Sequence, residues 1–153
     1  MNKNFKIIIF IFSFNFLFIN YIFCSEKDYF LTLKYNEVKV RQGPSFEYPV
    51  KFIYNKKYLP VKVIDSKDNF KKIIDLKNNS GWIHISQLTK KKSAINIFDL
   101  ALIFRKPNIY SKPIAKLESG KMVTIKRCKD KWCKISTQNI SGWIKKKFLW
   151  GKF

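Results

Sequence analysis

The tetrapeptide Ser80-Gly81-Trp82-Ile83 recurs as Ser141-Gly142-Trp143-Ile144, 61 positions later. A repeat of that length marks a duplicated domain rather than a solenoid unit, so the chain is confined to two small modules of one design. The echo extends upstream in the same order. Val38-Lys39-Val40-Arg41-Gln42-Gly43-Pro44-Ser45 alternates apolar residues into a Gly-Pro turn, and Ala101-Leu102-Ile103-Phe104-Arg105-Lys106-Pro107-Asn108 does the same with Lys106 in place of the glycine. Leu59-Pro60-Val61-Lys62-Val63-Ile64 is matched by Met122-Val123-Thr124-Ile125-Lys126. Asp68-Asn69 before Phe70-Lys71-Lys72-Ile73 is matched by Asp130-Lys131 before Trp132-Cys133-Lys134-Ile135.

The local pattern is β throughout. Short runs of Val, Ile, Phe and Tyr are broken by Asn, Asp, Gly and Pro, and no stretch after the N-terminal segment holds a helical period over three turns. Many short strands in about 60 residues point to a small barrel, and a module of that size is marginal alone. The linker near residues 89–93 is short, so the modules are expected to touch and support each other. The predicted organisation is a segment 1–25, a first module 26–89 and a second module 94–153.

Residues 1–25 read as an address label. Lys3 and Lys6 precede an apolar run from Ile7 to Cys24, and no acidic residue comes before Glu26. This is the layout of a secretory signal peptide, with cleavage expected after Cys24 or Ser25. Retention as a membrane anchor is the alternative, although Ser13, Asn15 and Asn20 dilute the run. Export implies a periplasmic or secreted protein and an oxidising setting for Cys128 and Cys133.

The whole chain of 153 residues has 31 Lys+Arg against 10 Asp+Glu, a formal charge of +21. Without residues 1–25 it keeps 29 basic and 10 acidic residues, +19. Only Arg41, Arg105 and Arg127 are arginines. Readers of nucleic acid lean on arginine for bidentate contacts, so no specific nucleic-acid partner is expected. The lysine excess is read as a solvated surface of a chain also rich in Asn, Ile and Phe. One histidine, His84, argues against a histidine triad or a multi-histidine metal centre. Neither paired carboxylates nor a phosphate-cradling glycine loop is present, so no enzyme activity, cofactor or metal is expected.

The order Val38 to Ser45, then Tyr48-Pro49-Val50, Leu59-Pro60-Val61-Lys62-Val63 and Gly81-Trp82-Ile83-His84, resembles the bacterial SH3-like domains. It is most similar to exported two-copy proteins of that family from Gram-negative bacteria. Cys128 to Ile135 followed by Gly142-Trp143-Ile144 resembles the cysteine-bearing version of the repeat, here a degenerate copy. The resemblance covers nearly all of residues 27–151. It implies an all-β fold, two tandem small SH3-like barrels of five to six strands each, and a binding or targeting role often directed at cell-wall material. It implies no reaction.

Candidate residues fall into three groups. Gly81 and Gly142 are expected to need a positive φ or a close approach. Trp82 and Trp143 could stack on a sugar or peptide, but are read, with Trp132, as core plugs. Arg41, Phe46, Tyr48, Tyr54 and Tyr58 cluster around the rigid Gly43-Pro44 turn, offering flat apolar area with polar tips suited to a peptide or glycan. Arg41 would contact a carboxylate there or only pin the loop, and the tyrosines could equally be half-buried strand residues. Cys128 and Cys133 flank Lys129-Asp130-Lys131-Trp132. A hairpin turning at Asp130-Lys131 sets them opposite each other, with Cα atoms about 4.5 Å apart, within disulfide reach. Strict alternation would then put Ile125 and Ile135 on opposite faces, so a β-bulge is expected between them. His84 is read as a hydrogen-bonded structural residue.

The expected function is a non-catalytic exported module recognising a cell-envelope peptide or glycan of peptidoglycan type, or a periplasmic protein. The alternative is a basic surface protein that binds anionic polymers or lipids by charge. Membrane contact is expected only through an uncleaved signal segment.

Overall fold

The computed structural model describes residues 29–137 and 139–153. The signal peptide expected over residues 1–25 lies outside the described residues. The first module runs β1 (Tyr29–Leu33), β2 (Glu37–Arg41), β3 (Val50–Asn55), β4 (Pro60–Lys67), β5 (Phe70–Ile74), β6 (Ser80–His84), a 3-10 turn (Ile85–Gln87) and β7 (Leu88–Thr89). The second repeats it as β8 (Ser93–Asn96), β9 (Leu100–Phe104), β10 (Pro113–Glu118), β11 (Met122–Lys129), β12 (Trp132–Ser136), β13 (Ser141–Lys145), a 3-10 turn (Lys146–Phe148) and β14 (Leu149–Gly151).

The two sheets have equivalent orders, β3-β2-β6-β5-β4-β1-β7 and β10-β9-β13-β12-β11-β8-β14. Each has seven strands rather than the expected five or six, because β7 and β14, the short strands after the 3-10 turns, also pair. Only residues 34–36 join β1 to β2, yet four strand spacings separate these strands in the sheet. Laid flat, four spacings are about 19 Å, whereas the link at full stretch covers about 14 Å. The sheet therefore has to curl until its two sides approach. Residues 97–99 impose the same on the second module.

Curling gives each module one core. Leu31, Leu33, Val38, Val40, Val61, Val63, Ile73, Ile83 and Leu88 form the first, drawn from six of its strands. Ala94, Ala101, Ile103, Leu117, Val123, Ile125, Cys133, Ile135, Ile144 and Leu149 form the second. Side chains alternate along a strand, so in β6 Gly81 and Ile83 point inward and Trp82 points out. This corrects the expectation that the tryptophans plug the barrels. Trp82 is half-buried on the outer face. Trp132 is half-buried beside inward-facing Cys133, and Trp143, although buried, stands outside the core cluster with the Arg127 guanidinium 5.5 Å from its ring centre. The isoleucines after Gly-Trp fill the core instead.

Of the two roles expected for Gly81 and Gly142, the structure selects close approach. Their φ angles are not positive. A Cβ on Gly81 would collide with the Val40 side chain and come 2.9 Å from the Arg41 carbonyl oxygen, while one on Gly142 would collide with Ile103 and come 2.9 Å from that of Phe104. At these points β6 pairs with β2, and β13 with β9, through a single residue pair.

Asp68 and Asp130, both at φ 50°, open equivalent two-residue hairpin loops. The register slips between Ile125 and Arg127, which brings Ile125 and Ile135 together in the core as the expected bulge requires. The first module slips at the equivalent place, between Val63 and Asp65. Cys128 and Cys133 face each other with Cα atoms 4.0 Å apart and are disulfide-bonded.

The modules touch. The Phe30 and Trp150 rings meet edge-on at 4.9 Å, the Lys152 ammonium donates to the Phe30 carbonyl at 3.0 Å, and the Ser93 hydroxyl donates to the Tyr58 carbonyl.

Gly81→Ala is expected to destabilise the protein by about 1–3 kcal/mol through overpacking against β2, measured as a lowered urea midpoint. Reducing the Cys128–Cys133 bond closes off a short loop's contribution, about 2 kcal/mol, and should lower the melting temperature of the second module as followed by Trp fluorescence.

Candidate functional site

β2 ends at Arg41 and β3 begins at Val50, so the loop 42–49 must fold back over the barrel. Arg41 holds it there. One guanidinium nitrogen, Nη1, donates to the carbonyls of Phe46 at 3.1 Å and Tyr48 at 2.7 Å, and the guanidinium lies 5.4 Å from the Phe46 ring centre. Of the two roles open to Arg41, the geometry supplies the loop-pinning one. Inside the loop the Tyr48 ring lies over Gly43, where a Cβ would sit 2.6 Å from the ring. The glycine is needed because the ring occupies that space.

Phe46 lands on the outer face of the sheet. Its ring meets Phe70 at 5.1 Å and His84 at 5.0 Å, and these two, paired across β5 and β6, meet at 5.1 Å. Phe70 is thereby buried although it points away from the barrel core, while Phe46 stays 60% exposed. The His84 ring nitrogen Nδ1 lies 2.7 Å from the Ser86 hydroxyl and accepts from the Ser86 backbone N–H, capping the 3-10 turn. Two residues before His84 and on the same face, Trp82 stands between its cross-strand partners Arg41 and Lys72. With Gln42 and Lys51 it lines a shallow cavity of about 310 Å³. Arg41, Phe46 and Tyr48 are thus brought together, and Phe70, His84 and Trp82 complete the face. Trp82 and His84 could have been placed there from sequence, since Gly81 and Ile83 claim the inward positions of the same strand.

Tyr54 and Tyr58 do not join this face, which corrects the expected five-residue cluster. Tyr54 lies on β3 opposite Val38 and packs, with Phe52, against the first core. Its hydroxyl donates to Asp75 Oδ2 at 2.9 Å, and burial together with that hydrogen bond holds its phenol well above the ordinary range. Asp75 in turn accepts from the backbone N–H groups of Lys77 and Asn79 and from the Asn79 amide. Burial works to raise the Asp75 carboxyl, but these bonds outweigh it and hold it below its usual value. Tyr58, at φ 62°, sits at the junction of the modules with the Lys91 ammonium 3.8 Å from its ring centre. A hydrogen bond from Lys91 is the main cause lowering its phenol.

The equivalent loop of the second module is built differently. Lys106 and Ser111 occupy the places of Gly43 and Tyr48, and the Lys106 N–H donates to the Ser111 hydroxyl at 2.9 Å. Phe104 replaces Arg41 and meets Trp132 edge-on at 5.5 Å. Among the described residues no three His, Cys, Asp or Glu side chains gather in a way that could hold a metal ion.

The sequence pattern of the bacterial SH3 domain matches residues 34–90 and again residues 99–151. The chain belongs to the bacterial SH3 domain family. Both copies of the domain carry the Gly-Trp-Ile strand that closes the sheet. No curated protein matches the chain. Among solved structures, it is similar to NlpC2 from Trichomonas vaginalis, with TM-score 0.38 and 18% identity over 82% of this chain and 48% of that one. NlpC1 from the same organism gives TM-score 0.37 and 17% identity, covering 82% of this chain and 46% of that one. An NlpC/P60 family protein from Bacillus cereus gives TM-score 0.35 and 11% identity, covering 79% and 55%. The chain spans about half the length of these structures.

The Asp75 carboxylate stabilises the fold above its unfolded pKa, about 3.9, and that contribution is lost as pH falls through its lower folded value. Asp75→Asn should therefore lower the urea midpoint at pH 7, and the gap between variant and wild type should hold until the pH approaches about 4 and shrink only below that.

Proposed function

We propose that this protein is a non-catalytic exported binding module that uses the outer face of its first SH3-like barrel to recognise a cell-envelope peptide or glycan of peptidoglycan type. The observation that carries this is the composition of that face. Trp82 lines a cavity beside a loop fixed by Arg41, and Phe46 and Tyr48 of that loop remain exposed. Aromatic side chains with few rotors offer contact area at low entropic cost, and a loop already held in place has little ordering left to lose on binding. The family's binding or targeting role supports the same assignment, and the N-terminal apolar segment supports export to the periplasm or beyond. A periplasmic protein is the other partner this face would suit.

Charge alone is the second reading, favoured by the cleft of about 930 Å³ that Lys56 of the first module and Lys91 of the linker share with Lys116, Lys121 and Lys126 of the second module. The two readings differ in salt dependence, since binding through lysines to an anionic polymer collapses as salt rises.

Residues 26–153, purified and mixed with isolated peptidoglycan, should be retained at both low and high salt. At high salt Trp82→Ala and Tyr48→Ala should each cut retention by about tenfold or more, as central aromatic anchors do, with the circular dichroism spectrum unchanged. Retention that persists in both folded variants would remove the face from consideration, and retention at low salt alone would leave the lysine cleft as the binding surface.

A further inference from the structure

The second module carries a pocket of about 810 Å³ on the face that corresponds to the first module's aromatic face. Trp132 turns out of β12 into it, because Cys133 and Ile135 take the inward positions. Ile109, from the loop between β9 and β10, and Phe153 supply the rest of its apolar lining. Around them stand Lys131, Lys145, Lys146 and Lys147, with Asp130 the one acidic residue of the lining. The Lys146 ammonium lies 4.9 Å from the Phe153 ring centre. Among the described residues none of these four ammonium groups is in an ion pair.

We propose that this pocket is a second binding site, independent of the first module's face, and that its ligand is an anionic glycan whose charge is carried by carboxylate or phosphate groups on the sugar rings. Three features of the pocket select that chemistry. Its volume suits a ligand of a few rings rather than a long chain. An indole beside an isoleucine and a phenyl ring gives a flat apolar floor on which the C–H face of a sugar can rest. Four lysines and no arginine provide mobile point charges, which satisfy anions at varied positions without demanding a bidentate fork.

An acidic peptide fits less well. Acidic peptide motifs are read by arginine clusters, whose fork grips a carboxylate bidentately. The lining of this pocket has lysines and no arginine.

The test is titration of the full chain, followed by tryptophan fluorescence and calorimetry, with tetragalacturonic acid, phosphorylated maltotetraose, neutral maltotetraose and tetraglutamate. At least one anionic tetrasaccharide should bind, and whichever binds more tightly separates carboxylate from phosphate as the natural charge. The double variant Lys145→Ser/Lys147→Ser should weaken that binding by about tenfold or more, and the double variant Lys34→Ser/Lys67→Ser, which removes equal charge from the first module, by less than about twofold. Trp132→Ala should weaken it about as much as the pocket lysines, with Trp132→Phe restoring most of the affinity. Equal losses in the two lysine variants would replace the pocket with general charge attraction. Equal binding of neutral maltotetraose, tighter binding of tetraglutamate, or no binding of either anionic sugar would each overturn the proposal.

Discussion

In each module the hairpin that bears the candidate loop is attached to the rest of the sheet by one residue pair, Arg41 with Trp82 in the first and Phe104 with Trp143 in the second. A seam that narrow holds only if the two strands can pass closely, and the inward-facing glycine beside each tryptophan provides the room. With β2 brought against β6, the short β1–β2 link can be closed, the curl is set, and the apolar residues of six strands meet in one core. The loop after β2 then leaves the barrel at a fixed point. Its position over Phe70 and His84 follows from the seam rather than from contacts of its own with the core.

The same seam explains which aromatic residues are available to a ligand. Strand alternation leaves no choice once a glycine and an isoleucine take the inner positions, and the residue between them has to face out. The repetition of Gly-Trp-Ile invites the view that its largest side chain fills the core, but the barrel has space there only for hydrogen. Phe70 is the complementary case. It points outward and is nevertheless buried, because Phe46 and His84 close over it.

Much of the fold was legible in the sequence because it rests on local or repeated signals. The duplication, the β pattern, the hairpin at Asp130-Lys131 and its disulfide all follow from spacing. The bulge followed from a conflict, since Ile125 and Ile135 could both be buried only if the register slipped. The site was less legible. Tyr54 and Tyr58 lie close to Tyr48 along the chain, but β3 turns Tyr54 toward the core and the left-handed turn at Tyr58 carries it to the junction of the modules. Phe70 and His84 come from strands distant in sequence and meet Phe46 only after the loop has folded back. In the second module, the lysines around Trp132 likewise converge from the tip of one hairpin, the end of β13 and the 3-10 turn after it.

The two loops also differ by an exchange that has to be made in pairs. A tyrosine ring over position 43 requires glycine beneath it, whereas Lys106 is compatible with a small partner whose hydroxyl takes its N–H. A chain that changed the glycine alone would drive a side chain into the ring, and one that changed the tyrosine alone would leave an unfilled space above the glycine. Neither halfway form is comfortable, so the copies are separated by a small valley in sequence space although their strands are interchangeable in outline. Duplication offers a way across, because one copy can carry an imperfect loop while its twin keeps the barrel pair standing.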